Sequence, residues 1–195
     1  MPSKLPYNPR TTKAAAAPGW PIRSDQSRFG PMATTTIAAL AFLIGVIAGL
    51  RSMTAPAFVA WGARLGWLRL DGTMLSFMGS AVAAWLLTAL ALGELIADKL
   101  PKTPNRTRPG PFAARIVSGA LCGAALAAAA GGPLVAGAVL GALGAVTGTL
   151  GGYTARRRLV QALGVPDHLV AVAEDMVAVG GALLILIATR GALPR

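Results

Sequence analysis

Five ionisable residues stand where an apolar chain has no ordinary use for them. Glu94 and Asp98 close one apolar run, Arg115 opens the next, and the pair Glu174-Asp175 interrupts the last. Glu94 and Asp98 are four apart and share one face of a helix. Glu174 and Asp175 are adjacent, so on a helix they point about 100° apart and can serve different partners. In lipid each mid-helix charge costs about 2.5–3.5 kcal/mol, and leaving it unpaired costs more. Two chemistries fit. Carboxylates gathered at one depth could take a cation or a proton, with Arg115 as counter-charge. The alternative is a buried ion-pair network that only fixes helix order. Arg51, Ser52, Lys99 and Ser118 are the supporting candidates. Ser52 is beside Arg51 and Ser118 lies about a turn from Arg115, so both hydroxyls could donate to the cluster. Each could equally bond to its own helix backbone.

The elements that must position these groups are apolar helices. Of 195 residues 54% are hydrophobic and only 13% are charged, with a mean hydropathy of +0.61. A soluble domain carries about 25% charged residues. The net charge of +11, from 18 Lys and Arg against 7 Asp and Glu, would suit nucleic acid in a soluble chain. Here the basic residues fall between apolar runs, the pattern of membrane loops, and the reading is a lipid-embedded protein with no nucleic-acid partner. One cysteine, Cys122, excludes an internal disulfide framework, and one histidine, His168, gives no soft-ligand set for zinc or haem. No cofactor or metal is expected.

Residues 1–31 are proline-rich, with five basic residues and one acid, Asp25, and read as a disordered cytoplasmic tail. Met32 offers an alternative start. Residues 32–195 form one transmembrane domain. The first run is Thr34 to Leu50, ending at Arg51-Ser52. In residues 57–70 Phe58, Trp61, Leu65 and Leu68 make one apolar stripe. That stretch is too short to span, and it predicts an interfacial or re-entrant helix, with an extramembrane loop helix as the alternative. The second span runs from Thr73 to Ala97, after an Asp71-Gly72 turn signal. The loop after it holds Lys99, Lys102, Arg106 and Arg108 among four prolines, at 101, 104, 109 and 111. The third run is Phe112 to Ala130, followed by a Gly131-Gly132-Pro133 turn. The fourth is Leu134 to Tyr153, with Gly137, Gly141, Gly144, Gly148 and Gly152 along a surface that must pack on protein. It ends at Arg156-Arg157-Arg158. The fifth is Leu169 to Thr189, after a helix start at Pro166-Asp167.

The expected fold class is therefore all-α: a polytopic membrane bundle of about five transmembrane helices plus one interfacial or re-entrant helix. Counting basic loops puts the tail, the 99–108 loop and the Arg156 cluster on the cytoplasmic side of a bacterial cytoplasmic membrane, and the C-terminus outside. In that layout Glu94, Asp98, Arg115, Glu174 and Asp175 share a layer, while Arg51 sits at the opposite end of the first helix. No hydrolase elbow, phosphate-binding loop or zinc-protease motif appears, so enzymatic chemistry is not favoured. The leading expectation is a small transporter or channel for an ion or small solute, with a homo-oligomer enclosing the path. The alternative is a structural or scaffolding membrane protein.

Three strings, GLRSMTAPA at Gly49 to Ala57, GELIADKLPKTPNR at Gly93 to Arg106 and AEDMVAVGG at Ala173 to Gly181, resemble the DUF4126 family of small bacterial integral membrane proteins. The resemblance covers roughly Met32 to Thr189. It implies that Gly49, Leu50, Arg51 and Ser52, then Glu94, Asp98, Lys99 and Pro101, then Glu174 and Asp175 form one site. It implies no activity.

Overall fold

The structure is a computed structural model that describes residues 31–98, 108–164 and 166–193. The tail and Lys99 lie outside the described residues. Among those described, six α-helices and one 3₁₀ turn carry the fold: α1 (Pro31–Leu50), α2 (Thr54–Arg64), the turn Ser76–Gly79, α3 (Ala81–Ala97), α4 (Pro109–Ala129), α5 (Leu134–Leu163) and α6 (Asp167–Ala192). The chain is an all-α bundle of long apolar helices, the architecture of a multi-pass membrane protein. Three of them, α4, α5 and α6, are long and apolar enough to cross a bilayer alone; Thr34–Leu50 and Ala81–Ala97 are shorter apolar helices. Large apolar side chains such as Val82, Trp85, Ile96, Met176 and Leu184 face outward, as a lipid solvent permits.

The core is built on close backbone contact. α1, α4 and α5 meet through glycine. A Cβ at Gly45 or Gly119 would overlap the carbonyl oxygen of Gly141, and one at Gly144 would overlap that of Phe42. These contacts also fix direction. Gly45 lies on Gly141 and Gly49 on Ala145, so α1 and α5 are parallel; Gly119 lies on Gly141 and Gly123 on Gly137, so α4 is antiparallel to α5. The expected glycine surface of the fourth run is thus a packing surface, and van der Waals contact at short helix separation replaces the hydrophobic drive that lipid lacks.

Local signals set the ends. Pro109 and Pro111 fall in the first turn of α4, where a missing N–H costs nothing. Ser80 caps α3 by accepting from Ala83 N at 3.1 Å. The helix therefore starts later than the Asp71-Gly72 signal suggested. Gly72 instead supplies a positive-φ turn ahead of the 3₁₀ segment. α5 does not stop at Tyr153. It continues through the arginines to Leu163 and ends at Gly164, whose φ of 61° is the left-handed cap.

Of the interfacial and re-entrant readings of the 57–70 stretch, burial favours the second: Thr54, Ala55, Pro56, Ala57, Val59, Ala60 and Gly62 are buried, so α2 folds back into the bundle beside α1. Its eleven residues reach about 16 Å, half a crossing. The ends also differ from the five-crossing layout. Because α2 returns part of the way and α3 repeats the direction of α1, the starts of α1 and α3, the 131–133 turn and the end of α6 share one end of the bundle. The ends of α1, α3 and α5 share the other. The start of α1 therefore lies opposite Asp98 and the Arg156 cluster.

A charged layer at a helix break

Between Leu50 and Thr54 the chain leaves α1 and enters α2 inside the bundle. A break of this kind strands carbonyls at the end of one helix and amides at the start of the next, with no water to satisfy them in lipid. Four of these stranded groups take a partner from another helix. The carbonyl of Gly49 accepts from Arg115 Nη1 at 3.1 Å and from Thr149 Oγ1 at 3.1 Å. At the start of α2, Met53 has no side chain able to cap. Glu94 of α3 does so instead, accepting from Ser52 N at 2.9 Å, Ser52 Oγ at 2.9 Å and Met53 N at 2.8 Å. The carbonyl of Ser52 accepts from Ser118 Oγ. The signs suit the helix dipoles: a guanidinium at the C-terminus of α1 and a carboxylate at the N-terminus of α2.

Ion pairs connect this break to the rest of the layer. Arg115 Nη2 lies 3.5 Å from Glu94 Oε1. Arg51 is fully buried, with one terminal nitrogen on Asp98 of α3 and the other on Asp175 of α6. Glu174, one residue earlier, turns to Arg156 of α5 at 3.4 Å, and Arg156 also holds Asp167 at 2.6 Å. The adjacent acids do serve different partners, as their spacing implied. Three guanidiniums, from Arg51, Arg115 and Arg156, thus face the four carboxylates of Glu94, Asp98, Glu174 and Asp175. The N-terminus of α2 supplies about half a positive charge more.

All five sequence candidates reach this layer, and Ser52 and Ser118 bond across helices rather than along them. Arg51 is placed differently from expectation. It sits at the centre of the layer, because α1 ends there and not at the far side of the bundle. Arg156 and Thr149 are additions. Arg156 is hidden in the sequence by its two basic neighbours, and Thr149 by its ordinary bond to Ala145 O at 2.8 Å. Among the described residues Arg51 Nε and Thr54 Oγ1 are buried without a hydrogen-bond partner. No group of three His, Cys, Asp or Glu able to hold a metal ion occurs among the described residues.

The profile of one protein family, described as a domain of unknown function (DUF4126), matches residues 38–192. No curated protein and no solved structure matches the chain.

Proposed function

The chain belongs to the DUF4126 family, and on that footing we propose that it is a non-catalytic, structural protein of the bacterial cytoplasmic membrane whose buried charges seal a helix break and fix helix order. The observation that carries this reading is the matching of every carboxylate in the layer to a guanidinium or a helix N-terminus. A carboxylate site poised for ion passage would need groups left to exchange partners with the ion, and here the arginines already occupy them. The 98–108 end, with Arg156, Arg157 and Arg158, faces the cytoplasm in this proposal, which takes the alternative start at Met32 and so leaves the five basic residues of 1–31 out of the count. The start of α1 then lies on the outer side.

Purified protein in liposomes tests it, screened for flux of protons, monovalent and divalent cations and small anions. The structural reading expects no flux above protein-free liposomes, with Glu94→Gln and Glu174→Gln less stable than the parent. Flux that either change abolishes while the fold is retained would establish transport and overturn the reading.

A further inference from the structure

Away from the charged layer, a groove of about 320 Å³ opens between α2, α3 and α6. It exists because α2 is only half a crossing long and holds α3 apart from α6. Phe58, Trp61, Trp67, Leu92, Leu95 and Leu183 are the large apolar side chains that shape its wall. The Thr88 hydroxyl is spent internally: it donates to Ala84 O at 2.7 Å and accepts from Trp61 Nε1 at 2.9 Å. A polar solute gains nothing from such a wall, and a hydrocarbon chain does.

The Trp67 end of the groove has a different character. The Arg190 guanidinium stacks over the Trp67 ring, 5.1 Å from its centroid. Arg64 immediately precedes Leu65, which also lines the groove, and Arg69 follows two residues after Trp67. All three arginines are exposed, and among the described residues none has a carboxylate partner. We propose that the α2–α3–α6 groove holds one acyl chain of an anionic phospholipid, whose phosphate rests on Arg64, Arg69 and Arg190. A second copy of this chain is the other natural cover for an apolar face. A two-fold interface centred on the groove mouth, however, would bring identical arginine clusters together. An anionic headgroup answers that charge, and a guanidinium is the side chain best shaped for phosphate.

The test uses the full chain carrying Trp20→Phe and Trp85→Phe, which leaves Trp61 and Trp67 as the reporters. It is reconstituted in phosphatidylcholine vesicles containing phosphatidylglycerol, with either lipid brominated on its acyl chains. Brominated phosphatidylglycerol is expected to quench the two tryptophans at a lower mole fraction than brominated phosphatidylcholine. Arg64→Gln and Arg190→Gln should each weaken that preference about fivefold, the effect of one basic side chain beside an anionic surface. Arg157→Gln, at the opposite end of the bundle, should leave it unchanged. Equal quenching by the two lipids, or a preference that survives both arginine changes, would overturn the proposal. So would a cross-linked dimer in which Trp61 is shielded from both lipids.

Discussion

Removing Glu94 should unseal the α1–α2 break. Its carboxylate accepts three hydrogen bonds, from Ser52 N, Ser52 Oγ and Met53 N, and faces Arg115 at 3.5 Å. A hydrogen bond to a charged group contributes about 1.5–3 kcal/mol, and an N-cap about 1 kcal/mol. These terms share one side chain and do not add. The better guide is loss of one partner from a buried pair, about 3–5 kcal/mol, because Arg115 is left buried without the Glu94 carboxylate. Glu94→Ala should therefore lose about 3–5 kcal/mol. Glu94→Gln keeps an acceptor oxygen but no charge, and should lose about half as much. Ser52→Ala removes only the hydroxyl contact and should cost about 1 kcal/mol. Reversible denaturant unfolding in mixed micelles, followed by tryptophan fluorescence, gives all three numbers. A Glu94→Ala loss within about 0.5 kcal/mol of the parent, the range of a neutral surface change, would refute the capping argument.

Other substitutions probe other parts of the account. Gly141→Leu should prevent assembly of α1, α4 and α5, because even a Cβ there overlaps Gly119; loss of the folded band after detergent extraction reads this. Gly151→Ala has open space around it and should be neutral or raise stability by up to about 1 kcal/mol in the same unfolding assay. Thr54→Val removes a buried hydroxyl that no described group satisfies, so the midpoint of unfolding should hold or rise; a loss above about 1 kcal/mol would mean that the hydroxyl has a partner.

Much of the site was legible in the sequence, and the parts that were not share a physical cause. Charged residues in apolar surroundings mark themselves, because lipid makes them expensive; Glu94, Asp98, Arg115, Glu174 and Asp175 were visible for that reason. The glycine face of α5 was visible because glycine offers lipid nothing. The place of α2 was not. One apolar stripe suits a helix lying in the interface as well as one folded into the bundle, and the period alone cannot separate them. Its small residues, Ala55, Ala57, Ala60 and Gly62, were the available signal, since close packing needs them and an interfacial helix does not. With α2 lying in the interface, α1 would end at the far side of the bundle, and Arg51 would fall on the wrong level. Arg156 gives no such signal, because a triple-arginine run reads as a solvated membrane marker. Only the turn into α6 reveals that the first of the three points inward, at Glu174 and Asp167.

Arg51 is the cation that joins α1 to α3 and α6 through Asp98 and Asp175. A mutant cycle on these three residues, measured by unfolding in micelles, tests that directly. Arg51→Met alone should lose about 3–5 kcal/mol, since two carboxylates are left buried without their cation. The triple variant Arg51→Met, Asp98→Asn, Asp175→Asn should recover most of that loss, because removing all the charges removes the penalty together with the attraction. Losses that simply add across the three substitutions would contradict the claim that these charges act as one structural unit.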